Sequence, residues 1–287
     1  MTLAKTLVNY GSLVRISHTV FALPFALAAV LLAAPFATIT WEKVLLIVVC
    51  IASARTAAMG FNRLVDRDID SRNPRTRDRE LPAGVLSAGS VRLLVLVSCA
   101  VFLLGAARLG RLPMLLSVPT LALALGYSYA KRFTALCHVI LGSAIALAPG
   151  GAWIAVGAEV TLAPWLLVIG VAAWVAGFDV LYSLQDQGFD RAEALHSIPV
   201  TLGVRGALWA SAFLHVVTVA CLLGVGLNLS RGVAYMVGVG LIGVLLLVEH
   251  AMVRPNDLSK VNRAFFDLNG YVSVAFLICV AFDHWLG

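Results

Sequence analysis

Residues 62–84 read NRLVDRDIDSRNPRTRDRELPAG, and how this stretch is read decides the fold. It holds Asp66, Asp68, Asp70, Asp78, Glu80 and six arginines, in a chain where only 13% of residues are charged. The run just before it, VLLIVVCIASA at 44–54, carries no charge at all. A dense cluster of both signs between apolar helices is the pattern of a short aqueous loop joining membrane spans. A second acidic stretch, DVLYSLQDQGFD at 179–190, repeats part of the pattern.

The composition of the whole chain agrees. Its 287 residues are 61% hydrophobic, with a mean hydropathy of +0.94, whereas soluble domains are nearer half apolar and a quarter charged. The reading is an all-α, polytopic membrane protein. The same figures exclude a secreted disulfide scaffold and a nucleic-acid binder. The net charge of +6 sits in basic clusters between apolar spans, as cytoplasmic loops require. Cys50, Cys99, Cys137, Cys221 and Cys279 are far apart and form no CxxC, so they read as small residues within or beside helices. The N-terminal MTLAKTLVNYGSLVRISH has no apolar core before Ile16, so the first span is expected to be retained rather than cleaved.

A spanning helix needs about 20 mostly apolar residues. Nine candidates follow, at roughly 16–35, 42–62, 91–108, 112–130, 136–156, 163–182, 206–228, 232–250 and 265–284. They leave no room for a long extramembrane domain, so residues 1–287 read as one integral-membrane domain. Pro24, Pro119 and Pro149 fall inside spans, which neighbouring helices make tolerable.

Lysine and arginine set the orientation. With the N-terminus in the cytoplasm, Lys5, Arg15, Arg63, Arg67, Arg72, Arg75, Arg77, Arg79, Arg92, Lys131, Arg132, Arg191, Arg205, Arg254, Lys260 and Arg263 lie inside. Only Lys43, Arg108, Arg111 and Arg231 lie outside. The bias favours a cytoplasmic N-terminus and an outer C-terminus. Every polar cluster then falls on the cytoplasmic side, including YSYAKRFT after the fourth span and DQGFDRAEALHSIPV after the sixth. A weak internal repeat supports the same layout. Asn62, Asp66 and Asp70 align with Tyr182, Asp186 and Asp190 at a constant offset of 120 residues, which is four spans. The expected architecture is two four-helix pseudo-repeats plus a ninth helix, bundled around a central cavity.

Residues three or four apart share one helix face. Arg55, Met59, Asn62, Asp66 and Asp70 form one such stripe, and Asp179, Tyr182, Asp186 and Asp190 another, provided the second and sixth helices continue past the membrane edge. Two stripes of carboxylates facing one cavity would repel, and a divalent cation removes the repulsion. Mg²⁺ suits the donors, because it takes hard oxygen from one or two carboxylates and completes its shell with water and phosphate. The bland reading is a solvated loop in which the aspartates pair with nearby arginines; two matching stripes at the ends of apolar helices favour the metal. Arg72, Arg75, Arg77, Arg79, Lys131 and Arg132 would neutralise a bound diphosphate, with Arg79 and Lys131 as the leading candidates. Asp68 is off the first stripe.

Arg55 lies seven residues before Asn62, so roughly 10 Å deeper at about 1.5 Å per residue. An intramembrane arginine is a functional candidate by default, either for a substrate carboxylate or paired with the equally deep Asp179. Arg15 could reach a cavity or serve as an inside anchor. His18 and His138 read as helix-packing residues, and Asp267 and Asn269 have no assignment.

At these residues the chain resembles the UbiA-type intramembrane aromatic prenyltransferases. NRLVDRDID is similar to the family's first signature, YSLQDQGFD to its second, and YSYAKRFT to a third segment. The resemblance covers nearly the whole chain. ISHTVFALPFAL, NPRTRDRELPAG and LHSIPV look most like the 4-hydroxybenzoate polyprenyltransferase-like branch, which includes enzymes thought to prenylate a dihydroxynaphthoate on the futalosine route to menaquinone. The resemblance implies Mg²⁺ held by Asn62, Asp66, Asp70, Asp186 and Asp190. It puts Arg75, Arg79, Lys131, Arg132 and Tyr182 on the diphosphate, and Arg55, Arg15 and Asp179 around the acceptor. It further implies transfer of a polyprenyl group to 4-hydroxybenzoate or 1,4-dihydroxy-6-naphthoate, at the cytoplasmic side of the inner membrane, beside membrane lipid. The oligomeric state is not readable.

Two other classes fit the sequence less well. A cation-coupled transporter keeps its ionisable site near the midplane on broken helices, whereas these carboxylates sit at the cytoplasmic edge. A CDP-alcohol phosphotransferase pairs its aspartates on adjacent small-residue turns, not 120 residues apart.

Overall fold

The structure, a computed structural model, describes residues 3–14, 19–255, 257–258 and 261–286. Arg15, His18 and Lys260 lie outside the described residues. Apart from one isolated bridge between Arg254 and Asp257, the regular elements of the described residues are helical. In chain order they are α1 (Leu3–Leu13), α2 (Thr19–Ala33) with a 3-10 turn (Ala34–Phe36), α3 (Trp41–Val65), α4 (Arg67–Arg72), α5 (Ala88–Leu109) and α6 (Arg111–Ala130). There follow α7 (Cys137–Val156), α8 (Leu162–Ser183), a 3-10 turn (Leu184–Asp186), α9 (Gln187–Ala192), α10 (Ile198–Asn228), α11 (Val233–Met252), α12 (Val261–Arg263), a π-turn (Ala264–Leu268) and α13 (Asn269–Leu286).

Eight helices among the described residues are long and apolar enough to cross a membrane. They correspond to the second through ninth expected spans. Where the sequence suggests a first span from residue 16, there is a shorter apolar helix over Phe21–Phe36. Large apolar side chains such as Leu93, Leu104, Trp209, Phe213, Leu247 and Trp285 are exposed. A soluble protein keeps such patches small; here they are the surface that faces lipid.

The chain divides into two compact units, residues 1–19 with 45–129 and residues 20–44 with 130–287. In the first, α3 and α5 approach at small residues. A Cβ on Gly60 would come 2.8 Å from Val95 Cγ2, and one on Gly105 would come 2.7 Å from Cys50 Sγ. Small residues at such crossings let helices in lipid gain close van der Waals contact. Leu13, Leu81, Leu86 and Val91 form a buried cluster. It fastens the end of α1 and the 81–86 turn to the start of α5, so the segment after the charged cluster is anchored by apolar side chains.

In the second unit α8 is the buried axis, with Trp174, Val175, Ala176, Gly177, Phe178, Val180 and Leu181 all inside. It meets α7 at Gly142, where any Cβ would collide with the Ala172 carbonyl. It meets α10 where the Ser211 hydroxyl donates to the Gly177 carbonyl at 2.8 Å. Trp174 packs against Phe25 and Phe178, each with ring centroids 5.0 Å away. Asn269, unassigned from sequence, is a buried connector. It accepts from Trp174 Nε1 at 2.8 Å and donates to Glu249 Oε1 at 2.8 Å, which joins α8, α13 and α11. Gly203, at φ 68, breaks α10 into two segments.

Two of the cations expected on the outer face have local work. Lys43 Nζ donates to the Val156 carbonyl at 2.8 Å, at the end of α7, and Arg231 donates to the Leu32 carbonyl at 3.1 Å, at the end of α2. Both satisfy carbonyls that a helix C-terminus leaves open, which accounts for two of the four exceptions to the charge rule.

Candidate active site

The first acidic segment hangs from the end of α3. The helix breaks at Asp66, at φ −92 and ψ 3, and α4 starts one residue later. The break is slight. Asp66 N–H donates to the Asn62 carbonyl at 2.9 Å and Asp70 N–H to the Asp66 carbonyl at 2.7 Å, so the four-residue ladder runs through it. Asn62, Asp66 and Asp70 therefore keep the shared side that their spacing predicts. Asn62 Nδ2 donates to Asp66 Oδ2 at 3.1 Å. Asp66 and Asp70 are both buried, at 4% and 5% exposure.

Asp70 is held by arginine. Both its oxygens accept from the same nitrogen, Arg79 Nη1, at 3.0 and 2.9 Å. Arg79 Nε is buried and has no hydrogen-bond partner among the described residues. The buried Arg63, missed as a site residue by the sequence reading, brings Nη1 to 3.9 Å from Asp70 Oδ2. Its only signal was a seven-residue spacing from Asp70. The segment after Asp70 is a set of tight turns. Thr76 Oγ1 donates to the Asp70 carbonyl at 3.1 Å, and Arg75 N–H donates to Asn73 Oδ1 at 2.9 Å. Arg72, Arg75 and Arg77 are exposed and Arg79 is half-buried, which separates Arg79 from its neighbours. Deeper on α3, half-buried Arg55 donates to the Val14 carbonyl at 3.2 Å.

The second acidic segment has the same local shape. α8 ends at Ser183, the 3-10 turn ends at Asp186, and α9 starts at Gln187. Asp186 has φ −98 and ψ 0, close to Asp66. Each aspartate directly precedes a six-residue helix that carries the second aspartate, Asp70 or Asp190. Here too the stripe is not one unbroken helix, as the spacing suggests, but a helix, a short break and a further turn. Asp190 lies within electrostatic reach of Asp186 and Lys131, and its carbonyl accepts from Leu195 N–H at 2.8 Å. Lys131 and Arg132 are half-buried, and the Lys131 carbonyl accepts from His196 N–H at 2.7 Å. Tyr182 sets its ring edge-on to Phe266, centroids 6.3 Å apart.

Asp179 has a partner that the sequence reading did not find. His138, expected to be a packing residue, brings Nδ1 to 2.7 Å from Asp179 Oδ2. Its Nε2 accepts from Ile198 N–H at 3.3 Å. The two residues are 41 positions apart, and nothing in either local sequence signals the pairing.

Among the described residues, no three of His, Cys, Asp or Glu converge as a ready-made metal cage. The donors come instead in small sets of hard oxygen: Asn62 with Asp66, and Asp186 with Asp190. That suits Mg²⁺, which takes one or two carboxylates and leaves the rest of its shell to water and substrate phosphate. It does not suit a structural zinc, which wants four closed nitrogen or sulfur ligands.

Together these features define a polytopic, all-helical membrane protein whose two acidic turns share one local design. The chain belongs to the UbiA prenyltransferase family, whose profile matches residues 22–274; it is an enzyme of the prenyl-transferring class. It is 33% identical over 231 residues to the 4-hydroxybenzoate octaprenyltransferase of Nitrosomonas europaea, covering 77% of this chain and 76% of the relative. It is 28% identical over 276 residues to that of Vibrio parahaemolyticus, covering 96% and 93%. Among solved structures, a UbiA homolog from Aeropyrum pernix superposes with a TM-score of 0.85 at 34% identity, covering 93% of this chain and 98% of that one. A UbiA homolog from Archaeoglobus fulgidus bound to GPP and Mg²⁺ shares the fold, with a TM-score of 0.71 at 22% identity over 95% and 99%.

Proposed function

We propose that this protein transfers a polyprenyl group from a polyprenyl diphosphate to the ring of an aromatic acid, with Mg²⁺, in lipoquinone biosynthesis. The acceptor is 4-hydroxybenzoate, the substrate class in its relatives' names, or 1,4-dihydroxy-6-naphthoate. The observation that carries the reading is the repeated acidic turn, Asn62–Asp66–Asp70 and Asp186–Asp190, each with a cation beside it. The working face is the cytoplasmic side of the inner membrane, a placement resting on the bias of lysine and arginine.

Asn62, Asp66, Asp186 and Asp190 hold the metal. When bound, Mg²⁺ neutralises the charge that develops on the leaving diphosphate. Asp70 belongs to the same ligand set, and in this structure it also fixes Arg79 next to it. Arg79, Lys131, Arg132, Arg75 and Tyr182 bind the diphosphate oxygens. As the allylic carbon–oxygen bond breaks, these donors meet negative charge where it grows. The electron-rich ring carbon then forms the new carbon–carbon bond and gives up its proton. Apolar helix walls exclude the water that would otherwise capture the allylic cation. Arg55 holds the acceptor's carboxylate, with Arg15 as a second candidate.

The test is product identification. Purified protein with Mg²⁺, a polyprenyl diphosphate and each acid in turn should give a prenylated acid by mass spectrometry. Turnover with one acid and not the other names the acceptor; free prenol as the sole product would reject aromatic transfer.

A further inference from the structure

α10 starts at Ile198, with Ser197 as its N-cap. The first N–H groups of a helix have no partner within the helix, and near lipid an unmet donor is costly. The Ser197 side chain accepts one of them, Val200 N–H, at 3.3 Å. Ile198 N–H is taken by a residue 60 positions earlier, at His138 Nε2. A ring nitrogen that accepts must offer its lone pair, so the imidazole proton sits on Nδ1 and points at Asp179 Oδ2. The carboxylate thereby fixes both the tautomer and the orientation of the ring. The ring is 3% exposed.

The same short segment is tied down on either side. His196 N–H donates to the Lys131 carbonyl at 2.7 Å, and Leu195 N–H to the Asp190 carbonyl at 2.8 Å. Cys137 Sγ adds a contact to the His196 carbonyl at 3.5 Å. Residues 195–198 thus carry three tethers: to the turn after α6, to α9 and to α7. The first two end on residues assigned to the diphosphate and metal, and the third ends on His138.

We propose that His138 and Asp179 are positioning residues: they clamp the start of α10, and through the 195–198 segment they hold Asp190 and Lys131 in register for the diphosphate. The assignment rests on the prenyl-transfer reading. It moves Asp179 away from direct contact with the acceptor. It also gives the LHSIPV stretch a task, since its backbone is the link.

Three variants test it. His138→Asn keeps a donor near Nδ1 and removes the Nε2 acceptor. His138→Gln carries an oxygen out to the Nε2 position. Ile198→Pro removes the donor itself and is compatible with the backbone. Proline is favoured at the first helical position, and Ser197 is already extended, at φ −148 and ψ 161, as a residue before proline must be. Kinetics with geranyl diphosphate and 4-hydroxybenzoate would be paired with amide hydrogen exchange at residues 195–197. His138→Asn and Ile198→Pro should raise KM for geranyl diphosphate about fivefold to tenfold, the worth of one hydrogen bond. They should leave KM for the acid within about twofold and speed exchange at 195–197. His138→Gln should recover most of both effects. A rise confined to the acid's KM, or unchanged exchange in Ile198→Pro, would overturn the clamp. If the wild-type protein transfers no prenyl group, the functional reading fails. The exchange data then judge the clamp alone: faster exchange in both variants supports it and unchanged exchange rejects it.

Discussion

Arg79→Lys separates the observed pairing of Arg79 with Asp70 from its proposed role on the diphosphate. In the structure a single nitrogen, Nη1, spans both Asp70 oxygens at 3.0 and 2.9 Å. Nε and Nη2 are not used on Asp70, and Nε is buried with no partner among the described residues. A lysine ammonium can stand where Nη1 stands, so the ion pair and the turn around it survive. What it cannot supply is the remaining guanidinium donors, which the proposed diphosphate contact requires. One hydrogen bond to a charged group is worth about 1.5–3 kcal/mol, so kcat/KM for the prenyl diphosphate should fall roughly 10-fold to 100-fold. The acceptor's KM and the thermal unfolding midpoint in detergent should stay close to wild type. Arg79→Met makes the contrast. Among the described residues it leaves the buried Asp70 with Arg63, 3.9 Å away. Removing one partner of a buried pair costs on the order of 3 kcal/mol, so the unfolding midpoint should drop clearly. The assay is steady-state product formation by liquid chromatography, with a thermal scan on each variant. A change in kcat/KM of less than threefold for Arg79→Lys would refute the diphosphate role. An equal loss of stability in both variants would refute the division of labour.

Three further outcomes are expected. Asp66→Ala or Asp186→Ala should abolish turnover while the protein still inserts in the membrane, measured on membrane fractions of equal protein content; retained activity in both would remove the metal assignment. Arg55→Ala should raise the acceptor's KM more than that of the diphosphate, and the reverse order would reject its carboxylate role. Gly142→Val should prevent α7 from seating against α8, because the added atoms meet the Ala172 carbonyl; a monodisperse, fully active variant on size-exclusion chromatography would contradict that packing.

What the sequence makes legible is what local spacing controls. Asn62, Asp66 and Asp70 share a side because four-residue steps do so on any helix, and the ladder bonds through Asp66 preserve it. The apolar runs give eight of the expected spans, since length and hydropathy alone determine them. Tertiary pairings are not legible. The sequence favours Arg79 over Arg75 and Arg77 by its place just before Glu-Leu-Pro, but its pairing with Asp70 depends on the turn that Thr76 and Asn73 build. His138 reads as one more buried histidine until α7, α8 and the start of α10 are brought together. The breaks at Asp66 and Asp186 are hidden as well, because the spacing looks the same whether or not the helix pauses. Lys43 and Arg231 read as exceptions to a charge rule, yet they satisfy helix-end carbonyls far away in sequence.

The most direct test of the central claim is chelation of the working enzyme. Purified protein in detergent, supplied with a polyprenyl diphosphate and the acid it accepts, should form prenylated product with Mg²⁺, lose that activity on adding EDTA, and regain it when Mg²⁺ is restored in excess. Product formation indifferent to EDTA, or no product with any aromatic acid alongside substrate uptake by protein-loaded liposomes, would contradict the account.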